Sequence, residues 1–262
     1  MNHATIIVAI SLAFALVLPA ASAQAQNARS FVSSTGSDSN NCTLATPCRT
    51  LQVAFNNTNA GGEIDVLNTA GYGILTIDKA ISIVNPGGFE AGIIVPSGGV
   101  GILINAGAND AVSLRGLTVE GGGIGHTGIQ FNTGKFLTIE NCVIRHVTLD
   151  GIDIFPTAAS GLSIANTVAS DNGENGIYIA PKNLGSVQGA ITSTAANNNN
   201  YIGIGIDGQY TTGTTASAIS IVQSVAANNF DTGINAQNGT AVMSVLVRDS
   251  NSSHNGFAGF SN

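Results

Sequence analysis

A glycine followed by an apolar residue recurs from residue 100 onward, and this is the main pattern in the sequence. The pairs are Gly101-Ile102, Gly128-Ile129, Gly151-Ile152, Gly176-Ile177, Gly203-Ile204, Gly233-Ile234 and Gly256-Phe257. After each pair, apolar and polar residues alternate in short segments that turns separate. Alternation with a period of two is typical of β-strands, in which successive side chains point to opposite faces. The pattern therefore predicts repeated short strands and no long helices.

The repeats follow each other at spacings of 27, 23, 25, 27, 30 and 23 residues, and each contains three alternating segments. Three short strands cannot bury an apolar face alone, so successive units must stack, each strand pairing in parallel with its equivalent in the next unit. We therefore predict an all-β parallel solenoid with three strands per coil and about seven or eight coils. The strand that begins at each glycine forms what we call the first sheet.

The segment before the repeats predicts an N-terminal cap. Thr46 and Pro47 are residues that favour a helix start, and Leu51, Ala54 and Phe55 follow at helical spacing. We expect one short helix whose apolar face covers the open end of the first coil. The predicted boundaries are residues 26–62 for the cap and 63–262 for the β-helix.

Two parts of the predicted solenoid are less regular. The strand register between Pro86 and Gly99 stays open, because no repeat is evident there. The coil that begins at Gly256 ends before its second and third strands, so we expect an incomplete C-terminal coil. An unpaired parallel edge can pair with another chain, and self-association at this edge is a further expectation.

The first residues read as a targeting segment. Residues 6–18 are an apolar run of 13 that ends at Pro19, and Ala23 and Ala25 each close a small-residue cleavage pattern. The run is too short to cross a bilayer as a helix and has no polar face, which disfavours an amphipathic anchor. We predict a signal peptide over residues 1–25 and an exported protein, periplasmic or extracellular, with no transmembrane segment in the mature chain.

Export changes the interpretation of the three cysteines. Cys42 and Cys48 lie close together in a turn-rich stretch, and an oxidising compartment favours a disulfide between them. A metal site is the alternative, but no further Cys or His lies nearby. Cys142 falls in an apolar alternation, so we expect a buried, unreactive thiol.

Composition excludes some classes of function. The chain contains eight Lys and Arg residues and 15 Asp and Glu residues, for a net charge of −7. Because a nucleic-acid-binding protein needs an excess of basic residues, we expect no nucleic-acid partner. Hydrophobic residues make up 44% of the chain and charged residues 9%, which excludes a disordered protein.

The predicted register also assigns neighbours to some polar residues. Arg115 lies over Glu140 and Glu120 over Arg145, which predicts ion pairs between coils. A column of asparagines should stack after the third strand. The predicted members are Asn172, Asn197, Asn228 and Asn255.

The segment FVSSTGSDSNNCTLATPCRTLQVAFNNTNAGGEIDVLNTAGYGILTIDKAISI resembles the N-terminal cap of secreted right-handed parallel β-helix proteins of the pectate-lyase-like superfamily. The resemblance covers the whole mature chain and implies a right-handed solenoid. That superfamily contains lyases, hydrolases, epimerases and adhesins, so the resemblance implies a fold and no single activity. The chain lacks the adjacent Asp pair, Gly-His-Gly and Arg-x-Lys motifs of polygalacturonase-type hydrolases, and it lacks the acidic cluster followed by Arg of calcium-dependent lyases.

Candidate site residues therefore come from the outward face of the first sheet. The predicted substrate-binding residues are Gln130, Asn132, Asp153, Tyr178, Asp207 and Asn235. Aromatic rings and amides of this kind bind the C–H faces and hydroxyls of sugars. Asp153, Tyr178 and Asp207 are the catalytic candidates. Two coils separate Asp153 from Asp207, roughly 11 to 12 Å, which exceeds the ~5 to 9.5 Å that paired glycosidase carboxylates need.

We expect an exported module that binds carbohydrate or a cell-surface glycan without catalysis. The alternatives are a polysaccharide lyase or glycoside hydrolase acting in a groove on the first sheet, and a structural or adhesive module. No cofactor is predicted. Calcium is conceivable at Asp38 and Asn40, although Asx turns account for both residues.

Overall fold

The protein is an all-β parallel solenoid of about seven turns, described by a computed structural model over residues 26–262. The predicted signal peptide, residues 1–25, lies outside the described residues. Three sheets of eight, nine and five strands run along the solenoid, one strand of each per regular coil. The predicted fold class, with three strands per coil, is confirmed.

The strands of each sheet come from successive coils. The first sheet contains β4 (Leu75–Ile77), β7 (Val100–Asn105), β10 (Thr127–Thr133), β13 (Ile152–Ile154), β16 (Ile177–Ile179), β18 (Ile204–Asp207), β20 (Thr232–Gln237) and β22 (Ala258–Ser261). The second sheet contains β1 (Asn27–Val32), β2 (Thr58–Val66), β5 (Ile81–Val84), β8 (Ala111–Arg115), β11 (Phe136–Glu140), β14 (Ala159–Ala165), β17 (Ser186–Thr192), β19 (Ser217–Val222) and β21 (Met243–Arg248). The third contains β3 (Ala70–Gly71), β6 (Ala91–Ile94), β9 (Leu117–Glu120), β12 (Val143–Arg145) and β15 (Val168–Ser170). The open register between Pro86 and Gly99 is thereby resolved, because β6 pairs with β9 from Ala91 and Leu117 onward.

A column of isoleucines holds the first sheet to the core. Ile129, Ile152, Ile177, Ile204 and Ile234 are partners in register on successive strands, and all are buried. Burying one such side chain contributes roughly 1.5–3 kcal/mol. The predicted stacking of glycine-initiated strands is therefore confirmed.

The glycines before these isoleucines are required by close contact between coils. At Gly176, for example, an added Cβ would lie 2.7 Å from the carbonyl oxygens of both Ala169 and Gly203. The predicted start of the last coil at Gly256 is wrong, because Phe260 is the residue that pairs with Ile234. The next glycine, Gly259, occupies the equivalent position, 26 residues after Gly233.

The cap contains one short helix, α1 (Leu51–Asn56), with Leu51, Ala54 and Phe55 buried as predicted. Its N-cap is Thr50, whose hydroxyl accepts a hydrogen bond from the Val53 amide. The predicted helix start at Thr46 and Pro47 is therefore wrong. The Asp38 carboxylate accepts the backbone N–H groups of Arg49 and Thr50, both at 2.9 Å, and so holds the chain in a turn until Thr50.

The cysteines are arranged as predicted. Cys42 and Cys48 form a disulfide, and both are buried. Cys142 is a free, buried thiol. Burial raises the pKa of the Cys142 thiol to about 11, so it stays protonated and unreactive at neutral pH.

A buried asparagine ladder runs along the turn that leads back to the first sheet. The ladder consists of Asn172, Asn199, Asn229 and Asn255, and the side-chain amide of each of the first three donates to the oxygen of the next at 3.0–3.1 Å. The predicted members Asn197 and Asn228 are therefore wrong. The chain advances 27 residues from Asn172 to its partner, two more than a 25-residue period implies, because the connection between β16 and β17 is two residues longer than the one between β13 and β14. Asn228 instead has φ 57° and forms a left-handed turn.

Two predicted ion pairs form on the solenoid surface. Arg145 Nε lies 2.9 Å from Glu120 Oε2, and Arg115 Nε lies 3.9 Å from Glu140 Oε2. Each pair joins residues in register on neighbouring strands. Exposed pairs of this kind contribute about 0–1 kcal/mol, so they favour the correct register more than they stabilise the fold.

Candidate functional site

The outward positions of the first sheet form a straight row across successive coils. Gln130, Asp153, Tyr178, Gly205 and Asn235 are partners in register on β10, β13, β16, β18 and β20. Because parallel strands lie about 4.8 Å apart, this row places residues far apart in sequence side by side. The predicted register of the first sheet is confirmed.

A groove of about 330 Å³ lies over the C-terminal half of this row, and we call it the Tyr178 groove. Its lining residues are Asp150, Glu174, Asn175, Tyr178, Tyr201, Ile202, Asp207, Tyr210, Asp231, Asn235 and Gln237. Three of them, Tyr178, Asp207 and Asn235, belong to the predicted site. The groove therefore brings half of the predicted substrate-binding residues together.

The floor of the groove is built around Tyr178. Its ring lies against Gly205, where an added Cβ would come within 3.0 Å of the ring. The Tyr178 hydroxyl donates a hydrogen bond of 2.8 Å to Asp207 Oδ2. The other oxygen of Asp207, Oδ1, accepts the backbone N–H of Gln209 at 2.8 Å. Gly205 thus leaves the space through which one tyrosine reaches an aspartate on the next strand.

The environment of Tyr178 decides what its hydroxyl can do. Burial, followed by the Asp207 carboxylate, raises the pKa of Tyr178 far above its ordinary value. The phenol therefore stays protonated at physiological pH and acts as a hydrogen-bond donor. A lyase base would need the opposite shift, since it must be deprotonated to abstract a proton.

Asp153 is buried next to the groove residue Tyr178, with which it is in register, and does not itself line the groove. Burial, and next the charge of Asp150, raise the pKa of Asp153 to about 9, while the Lys182 ammonium has the opposite effect. The carboxyl of Asp150 thus favours the protonated form of Asp153. Asp153 is thus protonated at neutral pH. Its Oδ1 atom is buried and has no hydrogen-bond partner within residues 26–262.

The carboxyl of Asp150 is held by the chain that follows it. Asp150 Oδ1 accepts hydrogen bonds from the backbone N–H and the side-chain amide of Asn175, at 2.9 and 2.7 Å. Both residues lie one coil apart in the turn that enters the first sheet. The carboxylate is therefore fixed in position beside Asp153.

Aromatic side chains continue the surface at the Asp153 end. The Phe155 ring packs edge to face against Tyr178, with ring centroids 5.9 Å apart. The Lys182 ammonium lies over the Phe155 ring at 4.0 Å from its centroid. This cation–π contact keeps Lys182 at the end of the groove.

One wall of the groove is a column that precedes the first-sheet strands. Backbone hydrogen bonds of 3.0 Å join Tyr201 to Glu174 and Asp231 to Tyr201, so an acid, an aromatic ring and an acid follow one another on three successive coils. Tyr201 and Tyr210 are both exposed. Burial and the charge of Asp150 raise the pKa of Glu174.

The structure separates the remaining predicted residues from the groove. Gln130 donates to Asn132 at 3.0 Å, and Asn132 donates to Asn105 at 2.9 Å, in an amide network on earlier coils. Asp153 adjoins the groove through Asp150 and Tyr178. Asp153 and Asp207 lie two strands apart, as predicted. Tyr178 lies between them: it is in register with Asp153 and donates a hydrogen bond to Asp207.

Sequence reasoning missed several lining residues, Asp150, Glu174, Tyr201 and Asp231 among them. These residues stand one or two positions before the glycine that begins each first-sheet strand. The two positions before each glycine recur with the same period, and inspecting them would have found these residues.

No group of three His, Cys, Asp or Glu within residues 26–262 is arranged to hold a metal ion. At the conceivable calcium site, the Asp38 carboxylate binds backbone N–H groups, and Asn40 donates to the Pro47 carbonyl at 2.8 Å. Both side chains therefore organise the cap loop.

None of the helical structure in residues 26–262 has the length and apolar character needed to span a membrane.

Comparison with known proteins bears on the fold. A solved structure of a rhamnogalacturonan lyase is similar over 80% of this chain and 72% of that one, with 12% identity and a TM-score of 0.39. Among curated proteins, none matches the chain. The family model described as "Right handed beta helix region" matches residues 100–262, more than half of the sequence. With three parallel sheets stacked around a column of isoleucines, the chain belongs to the right-handed β-helix family.

Proposed function

We propose that this protein binds a carbohydrate in the Tyr178 groove and acts as an exported, non-catalytic binding module. The observation that carries the proposal is the lining of the groove. Exposed rings of Tyr201 and Tyr210 stand beside carboxylate and amide groups on a rigid sheet. Aromatic faces pack against sugar C–H surfaces, and the polar groups bind hydroxyls.

The state of the candidate catalytic groups favours binding over chemistry. Tyr178 donates its proton to a hydrogen bond with Asp207, and its raised pKa keeps it from acting as a base. Asp207 has both oxygens engaged, one by Tyr178 and one by the Gln209 amide. No lysine or arginine lines the groove to stabilise the enolate of a lyase reaction.

The cellular location belongs to the same proposal. The Cys42–Cys48 disulfide is compatible with an oxidising compartment. We place the protein in the periplasm or outside the cell, where polysaccharides and cell-surface glycans are its partners.

Binding to a glycan array, followed by calorimetry on the best ligand, tests the proposal. Tyr201→Ala and Asn235→Ala should each weaken binding, the tyrosine variant by about tenfold because it loses a stacking face. Phe136→Ala and Asn132→Ala are matched controls, since both residues lie outside the groove, and they should bind as the wild type does. No binding to any glycan, or equal losses in the control variants, would refute the proposal.

A hydrolase is the second candidate function, and one observation favours it. Asp153 is protonated at neutral pH, the state that a general acid requires. Its test is the release of new reducing ends from the polysaccharide that binds best. The hydrolase interpretation requires activity that Asp153→Asn abolishes while binding is retained, and it fails if the wild type releases none.

A further inference from the structure

The ionisable side chains that line the Tyr178 groove are mainly carboxylic acids. Four of its lining residues, Asp150, Glu174, Asp207 and Asp231, carry carboxyl groups, and none is Lys, Arg or His. A polyuronate would bring further negative charge against these groups and would be repelled. The groove is therefore suited to a neutral or a positively charged ligand.

These carboxyls are not neutralised by the protein. Within residues 26–262, the ion pairs use Glu63, Asp65, Glu120, Glu140 and Asp249, all outside the groove. Lys182, whose charge acts on Asp153, lies over the Phe155 ring. The groove thus has an excess of acceptors for which residues 26–262 supply no ion-pair partner.

An independent observation indicates where a donor is missing. Asp153 is 5% exposed, and its Oδ1 atom lacks a hydrogen-bond partner among residues 26–262. The residue is in register with the groove residue Tyr178, on the neighbouring strand. An unpaired buried acceptor costs about 1–3 kcal/mol, so the carboxyl groups at this end of the groove are short of hydrogen-bond donors.

We infer that the Tyr178 groove selects a glycan that carries primary ammonium groups, such as an oligomer of glucosamine, with one ammonium at the Asp150 and Glu174 end. The inference rests on the proposed function and adds the class of ligand. A primary ammonium supplies three donors and one positive charge. Charge-assisted hydrogen bonds to carboxylates are about twice as strong as neutral ones.

The exposed rings distinguish a sugar from a cationic peptide. Tyr201 stands between Glu174 and Asp231 on successive coils, so a flat apolar face alternates with acids. A pyranose ring presents C–H groups to such a face while its amine reaches the neighbouring carboxylate. A lysine side chain offers no ring face to stack.

Calorimetry with three hexasaccharides and one peptide tests the inference. The probes are glucosamine hexamer, N-acetylglucosamine hexamer, galacturonic acid hexamer and hexalysine, each added to the purified protein at low salt. We expect the glucosamine hexamer to bind at least tenfold more tightly than its acetylated form, with an affinity that falls as salt is added. The galacturonic acid hexamer should not bind.

Two variants locate the effect. Glu174→Gln should weaken binding of glucosamine hexamer at least fivefold and leave the acetylated hexamer unchanged, because only the ammonium uses the charge. Glu90→Gln makes the same charge change outside the groove and should bind as the wild type does. Asp150→Asn repeats the test at the buried carboxyl, with circular dichroism to verify that the variant folds.

The outcomes distinguish failure of the ammonium inference from failure of carbohydrate binding itself. Equal binding of both glucosamine hexamers, with no effect of Glu174→Gln, overturns the ammonium inference and leaves carbohydrate binding intact. Tighter binding of hexalysine than of glucosamine hexamer overturns the inference in favour of a cationic peptide. If no sugar on the full glycan array binds, carbohydrate binding and the inference both fail.

Discussion

Replacing Asp153 with asparagine should change how the stability of the protein depends on pH. The folded protein holds the Asp153 proton up to pH about 9 because of burial and the neighbouring Asp150. The unfolded chain releases the same proton above pH about 3.9. Between these values the unfolded state binds fewer protons, so the wild type loses stability as pH rises.

The magnitude follows from the size of the pKa difference. Each pH unit in this window costs the wild type up to about 1.4 kcal/mol, or about 4 kcal/mol between pH 5 and 8. Asp153→Asn removes the titrating group and keeps the size and shape of the side chain. The variant should therefore become more stable relative to the wild type as pH rises. Glu174 and Lys182 also influence Asp153, but both remain in the two proteins.

Urea unfolding at pH 5, 6, 7 and 8 measures the effect. Far-UV circular dichroism is the appropriate signal, because the chain has no tryptophan. Gln130→Ala is the matched control, since Gln130 is the in-register neighbour of Asp153 and does not titrate. If the difference in unfolding free energy between Asp153→Asn and the wild type is the same at every pH, Asp153 is ionised in the folded protein and the reasoning is refuted.

Three further predictions concern stability, each measured by urea unfolding at pH 7. Asn199→Ala should lower the free energy of unfolding by about 1–3 kcal/mol, because it removes the ladder partner of Asn172 and Asn229; an unchanged midpoint would show that the ladder contributes nothing. Ile177→Ala should cost about 2–5 kcal/mol by leaving a cavity in the isoleucine column, and a loss below 1 kcal/mol would contradict the packing described. Cys42→Ser should cost about 2 kcal/mol, the loop-closure entropy of a short disulfide loop, and adding a reductant to the wild type should reproduce that loss.

The parts of the fold that could be predicted depend on strict periodicity. Strands of neighbouring coils must stay in register, so Ile129, Ile152 and Ile177 recur with glycine before them, and the pairing follows from the sequence. The ion pair of Glu120 and Arg145 was predictable for the same reason. Turns carry no such constraint. The asparagine ladder was misassigned at Asn197 and Asn228 because extra residues enter the turns of those coils.

The candidate site could be predicted only in part. The outward row of the first sheet follows from the register, and it placed Tyr178, Asp207 and Asn235 on one surface. The hydrogen bond from Tyr178 to Asp207 depends on a side chain that crosses to the next strand over Gly205, which sequence spacing does not reveal. The burial of Asp153 depends equally on which side chains cover it. Both features depend on the three-dimensional positions of side chains, which sequence spacing does not give.

Binding of a sugar in the Tyr178 groove is the central proposal for this protein. Its most direct test is an NMR titration of the isotope-labelled protein with the tightest-binding oligosaccharide of the array. The amide signals of Tyr178, Gly205 and Asn235, on three neighbouring strands, should shift together as the ligand is added. Those of Gln130 and Asn132 should not move. Shifts confined to residues outside β16, β18 and β20 would contradict the account.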